Sequence, residues 1–166
     1  MLTHRKQYTD RFSDSARKES ELHVQRVCAS ADSANTLDSV DESLVEAFEP
    51  VARDLRAAGL DCQLADDHSG SDPRLGATAE LIVSGVKVGL LTLGAAILDT
   101  DSRTLYLAAQ TQRLVQSNLG IGGRIIEWPP CVPSHGHPMM ATRGRRTPLW
   151  TCPLDGSISV AIGAHP

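Results

Sequence analysis

Four side chains near one end of the sequence have the types and spacing of a metal site. Cys131 is followed after three residues by His135, after one more by His137, and after a further fourteen by Cys152. Two thiolates and two imidazoles make a four-coordinate donor set that suits zinc, an ion without redox demand that tolerates mixed nitrogen and sulfur ligands. The expected cofactor is therefore one structural zinc ion, held by Cys131, His135, His137 and Cys152 within the segment 128–155. With all four positions filled by protein, such a site has no open place for water, so no catalytic residue is assigned.

The surroundings fit the same chemistry. Pro129, Pro130, Pro133, Pro138 and Pro153 stiffen both ligand loops and reduce the chain entropy lost on closing the site. Trp128 and Trp150 flank the ligands and are expected to cover the metal loops. The turn Cys152-Pro153-Leu154-Asp155-Gly156 resembles the knuckle of a zinc ribbon, with Asp155 where that pattern has its second cysteine. Asp155 is thus either a substitute ligand for one histidine or an acceptor for a histidine N–H. A Cys131–Cys152 disulfide would leave the His-Gly-His pair without a role and would need an oxidising compartment.

The frame W-P-P-C-x-P…H-x-H-P…W-x-C-P-x-D-G resembles the end of small bacterial proteins whose function is uncharacterised. The likeness covers roughly the last forty residues in motif and roughly the preceding eighty only in layout, and residues 1–38 lie outside it. It implies a recurring module carrying the metal site, and it implies no activity.

Other chemistries are legible but incomplete. Glu80 with His135-Gly136-His137-Pro138 mimics part of a JAMM-type metal hydrolase, yet no Asp or Glu lies between Pro138 and Leu154 to supply the third metal-binding carboxylate. Cys131 as a nucleophile beside His135 or His137 would pair neighbours along one loop, whereas nucleophile and base usually meet across a fold. The zinc deaminase pattern lacks its C-x-x-C and H-x-E elements. Arg143, Arg145 and Arg146, with Arg124, form a basic stretch that on a rigid metal knuckle could grip nucleic acid. The formal charge of -4 and the absence of aromatics among these arginines disfavour it. By elimination the chain reads as a structural or protein-interaction module with an unknown protein partner. The absence of a long apolar stretch and the polar start of the sequence place it in the cytoplasm, away from membranes.

The elements that must position these ligands follow from apolar periodicity. Residues 1–38 mix charges with Ser and Ala, with at most a frayed helix over 13–27 and a linker over 29–35, and read as a flexible N-terminal extension. A single domain then spans 39–166. Leu44, Val45, Phe48, Val51, Ala52 and Leu55 recur on one helical face, with a Ser39–Glu42 or Ser43–Glu46 capping box and Gly59 as the stop. Pro50 implies either a kink or a helix that begins near Ala47. A short strand over 61–65 and a polar loop over 66–76 come next. Strands over 78–83 and 86–93 form a hairpin through Ser84-Gly85, and a second helix with Leu107, Ala108, Leu114, Val115 and Leu119 inward runs from an Asp99 to Ser102 cap region to Gly120. Strands over 148–151 and 157–162 close the chain. The fold class is α+β: a small antiparallel sheet with two helices on one face and a loop-rich, zinc-knuckle-like terminal hairpin. The segment between Pro138 and Pro148 is read as a basic loop. Cys28 and Cys62 have no partner pattern.

Overall fold

The computed structural model describes residues 40–67, 76–97, 99–121 and 124–166, so the expected extension over 1–38, the central part of the polar loop over 66–76, and Cys28 lie outside the described residues. Helix α1 spans Glu42–Ala57. Its start is set by Asp41, whose side chain accepts from the N–H groups of Ser43 and Leu44 at 2.9 and 3.4 Å. This corrects the capping-box expectation. A carboxylate serves the exposed amides better than either serine, because the charge also favours the positive helix end. The helix runs through Pro50 without a break, so of the two alternatives that Pro50 left open, a start near Ala47 is ruled out. Its end is a Schellman turn, with Leu60 N–H on Leu55 O and Gly59 N–H on Arg56 O, each at 2.9 Å. Gly59 supplies the required positive φ of 75°.

Strands β1 (Cys62–Ala65), β2 (Ala77–Val83) and β3 (Val86–Leu93) form an antiparallel sheet in that order. Ser84 and Gly85, at φ 50° and 77°, make the tight turn between β2 and β3. The register shifts between Leu81 and Ile82, leaving Val88 as the extra residue of a bulge. Helix α2 (Thr100–Asn118) is capped by Asp99, which accepts from Ser102 N–H at 2.8 Å. It is followed by the short ribbon of β4 (Gly120–Ile121) and β5 (Arg124–Ile125).

The two helices pack on each other; α1 lies against β1 and β2, and α2 against β3. Leu44, Ala47, Phe48, Val51, Ala52 and Leu55 of α1 meet Ala79, Leu81 and Val83 of β2 and Leu107, Ala108 and Val115 of α2 in one core. Val45 is 38% exposed and does not belong to the buried face. Gly89 lets α2 approach closely, since a Cβ there would lie 2.5 Å from Leu114 Cδ2. Gln110 of α2 bonds the backbone of edge strand β3 in both directions, accepting from Thr92 N–H at 3.1 Å and donating to Thr92 O at 2.8 Å. That occupies a ladder position which would otherwise be unpaired.

The terminal part is a second three-stranded antiparallel sheet rather than a lone hairpin: β6 (Met140–Arg143), β7 (Pro148–Thr151) and β8 (Ser159–Ala161), in that order. The stretch read as a basic loop thus contains a strand, whose Arg143 pairs with Pro148 of β7. Its four residues alternate no apolar pattern of their own, and the partner strand supplies the order. The architecture is α+β, with two helices and small antiparallel sheets. Among the described residues no helix is long and apolar enough to cross a membrane.

Candidate metal centre

Three of the four candidate ligands sit on one loop closed at its base. Pro130 and Pro138 form an antiparallel bridge, and Met139 N–H donates to Pro129 O at 2.9 Å. Two amide side chains of α2 hold this base from beneath. Gln116 Nε2 donates to Trp128 O at 3.1 Å, and Gln112 Nε2 donates to Met139 O. One helical turn therefore fixes both the entry and the exit of the ligand loop. Within it, a tight turn with His135 N–H on Val132 O at 2.8 Å brings His135 back over Cys131.

The fourth ligand comes from the end of β7. Cys152 N–H donates to Ile158 O at 2.9 Å, and Asp155 N–H donates to Cys152 Sγ at 3.2 Å. The second contact fixes the position of the sulfur at the start of the turn.

These elements bring all four predicted ligands together. One donor atom from each of Cys131, His135, His137 and Cys152 lies within 4.8 Å of every other, and the group can hold a metal ion. Both sulfurs approach His135 Nδ1, Cys131 at 3.6 Å and Cys152 at 3.4 Å. Cys152 Sγ lies 3.8 Å from His137 Nε2. The other nitrogen of His137, Nδ1, is 3.0 Å from Pro138 O. A proton on Nδ1 satisfies that carbonyl and leaves Nε2 bare toward the sulfurs, the tautomer a metal requires. The imidazoles stack, with ring centroids 5.3 Å apart.

Burial grades across the site: Cys152 is buried and the other three ligands are half-buried. Desolvation pushes the Cys131 thiol up, with the neighbouring Cys152 adding to it. Cys62, Cys131 and Cys152 are all free thiols. Cys62 lies apart on β1, against Ala52 O at 3.8 Å.

Asp155 takes neither role open to it in the sequence. Its carboxylate turns back to accept from Ser157 N–H at 2.9 Å and Ser157 Oγ at 2.6 Å, which lowers its pKa. Its main-chain N–H, rather than its side chain, serves the site. Glu80 is equally remote from the hydrolase reading, since it forms an ion pair with Lys87 on the neighbouring strand. Arg143 donates to Ser102 Oγ at the start of α2. With Arg145 and Arg146 it lines a cleft of about 100 Å³ that Asp99 and Asp101 also line, so the charge there is mixed. Arg124 lies where side chains are not described.

Trp128 and Trp150 are both in the interior, packed edge to face with centroids 5.3 Å apart and planes at 75°. Neither offers a face for stacking a ligand. Trp150 Nε1 donates to Asp54 Oδ2 at 2.7 Å, whereas Trp128 Nε1 is buried without a partner among the described residues.

Sequence reasoning missed the residues that hold the ligand loops: Asp54, Gln112, Gln116 and His165. Asp54 did leave a signal. It stands three residues after Val51 and seven after Ala47, on the buried stripe of α1, where an acidic side chain requires donors. The glutamines carried none, because polar residues on one helical face read equally well as solvated.

Fold and site together define an α+β domain with a Cys2His2 group able to hold a metal ion. Compared with family models, curated proteins and solved structures, the chain matches none.

Proposed function

We propose that the chain is a non-catalytic zinc-binding domain of the cytoplasm that presents a metal-fixed surface to a protein partner. The convergence of the four donor atoms carries this reading. Ordinary zinc bonds of about 2.3 Å to sulfur and about 2.05 Å to nitrogen, set at tetrahedral angles, put sulfur and nitrogen ligands about 3.6 Å apart. The Sγ to ring-nitrogen distances of 3.4, 3.6 and 3.8 Å bracket that value. The donor set favours zinc over magnesium or calcium, which take oxygen ligands. Four protein ligands fill a tetrahedral ion, which supports a structural role.

What the ion would do follows from the local structure. The ligand loop between Pro130 and Pro138 contains no regular hydrogen-bonded element, and Val132, Pro133, Ser134 and Gly136 are exposed. Metal bonds would supply the order that apolar burial does not. The same loops carry exposed apolar side chains, Val132 at 37% and Leu154 at 78%, which supports a protein partner over a nucleic acid. The resemblance to small bacterial proteins with this ligand frame is consistent with a shared module.

Elemental analysis of the full chain purified without added metal tests the reading. One zinc per chain, lost together with folding cooperativity on chelation, is the expected result. A metal content near zero with stability unchanged by chelator would overturn it.

A further inference from the structure

We infer that Asp54 is a positioning residue for the metal centre, acting through His165 on the ligand loop. This rests on the metal-binding reading above and adds how the loop is held in place.

Asp54 lies on α1 and is 1% exposed. Its two oxygens accept three bonds, all from the terminal part of the chain. Oδ2 takes the Trp150 indole N–H and Gly163 N–H, both at 2.7 Å; Oδ1 takes His165 N–H at 2.9 Å. A buried carboxylate needs such partners, and these are separated from it by 96, 109 and 111 residues in sequence. Gly163 sits so close to α1 that a Cβ would lie 2.9 Å from Pro50 Cβ and from Arg53 Nη2.

The segment from Gly163 to Pro166 continues to the metal loop. His165 Nε2 lies 2.9 Å from Pro130 O, the carbonyl directly preceding Cys131. His165 Nδ1 lies 3.1 Å from Pro166 O, and a neutral ring carries one N–H; the tautomer protonated at Nε2 donates to Pro130 O. One carboxylate therefore reaches both ligand arms. Through His165 it fixes Pro130 and hence Cys131; through Trp150 it fixes β7 two residues before Cys152. The segment is a strap anchored at Asp54 and tied over the base of the ligand loop. Groups that orient metal ligands without touching the metal typically change affinity by about 10- to 100-fold when removed.

Asp54→Asn separates this role from packing. An amide oxygen at Oδ2 keeps Trp150 and Gly163, while the NH2 at Oδ1 faces His165 N–H as donor against donor. His165→Ala keeps the main-chain bond to Asp54 and removes the ring's contacts with Pro130 O and with the adjacent Pro166 O. Leu81→Ala, a fully buried residue of β2, serves as a comparably destabilised control. The full chain and each variant are loaded with Co2+ and then with Zn2+. Metal transfer to a chromophoric chelator, the Co2+ absorption spectrum and the urea midpoint are recorded.

The expected result is transfer about tenfold faster or more in Asp54→Asn and His165→Ala, with an altered Co2+ spectrum, while Leu81→Ala releases metal within about twofold of the parent. If both variants release metal no faster than Leu81→Ala, the positioning role is overturned and Asp54 is a core anchor alone. Should Asp54→Asn fail to fold, His165→Ala decides by the same criterion. A parent chain that takes up neither Co2+ nor Zn2+ sinks the metal-binding reading itself, a result distinct from unchanged release in a loaded protein.

Discussion

The indole N–H of Trp150 and the Asp54 carboxylate meet at 2.7 Å in the interior, joining the strand that carries Cys152 to the first helix. The neighbouring Trp128, equally buried, has an indole N–H without a partner among the described residues. The two tryptophans thus invite a direct comparison. Trp150→Phe removes one of three donors from a buried carboxylate and is expected to cost about 1–3 kcal/mol beyond the change in ring size. Trp128→Phe removes an N–H that has no partner among the described residues, so no hydrogen bond among them is lost and a smaller cost is expected. Urea midpoints of the two variants measure the difference, and equal losses would contradict it.

Removal of metal is expected to lower stability. Cys131→Ser or Cys152→Ser should reproduce that loss in the presence of zinc and make the chain indifferent to chelator. Thermal unfolding with and without chelator, for the parent and both variants, provides the check. A variant that keeps the parent's response would remove that cysteine from the ligand set.

Acid should release the metal. The metal-bound state carries no thiol protons and the free state does, so stability in zinc rises with pH wherever the thiols are protonated. Desolvation holds the Cys131 thiol above its ordinary 9.0, so this range includes neutral pH and extends above that ordinary value. Zinc affinity is expected to fall by up to about 100-fold per pH unit on acidification when both thiols must lose a proton. Competition with a chelator of known affinity at several pH values gives the slope, and a flat profile would exclude thiolate ligation.

Asp41 caps α1 as a carboxylate. Its hydrogen bonds with Ser43 lower its pKa from the ordinary 3.8. The linked stability is therefore complete above the unfolded value and is lost as pH falls through the lower folded one. Asp41→Ala should cost about 1 kcal/mol at neutral pH, and the penalty should shrink in strong acid. Paired denaturation curves at neutral and low pH would show it; a penalty independent of pH would assign the cap to geometry without charge.

Gly89→Ala tests the approach of α2 to the sheet. The added methyl would stand 2.5 Å from Leu114 Cδ2, at a φ of 148° that disfavours any side chain. A loss of about 1–3 kcal/mol is expected from overpacking, and Leu114→Ala in the same chain should recover part of it. Additive losses in the double variant would place the cause in the backbone.

The elements and the ligand set were legible because both rest on local chemistry. Apolar residues at helical spacing marked α1 and α2, paired runs of branched residues marked β2 and β3, and Cys131, His135, His137 and Cys152 advertised themselves by type. Errors fell where nearby residues competed for one role. Asp41, Ser39 and Ser43 can all cap a helix, and only the path of the chain picks one. Strand β6 has no apolar period to announce it, since its pairing with β7 makes it a strand.

The sequence by itself determined which atoms can bind a metal, because donor chemistry belongs to residue type. Tertiary structure alone decided that these atoms converge, that Asp155 offers its N–H instead of its carboxylate, and that Asp54 is the anchor. The reason is distance along the chain. Bonds such as Trp150 to Asp54 and His165 to Pro130 link residues 96 and 35 positions apart, and no local pattern records a partner that only folding brings near.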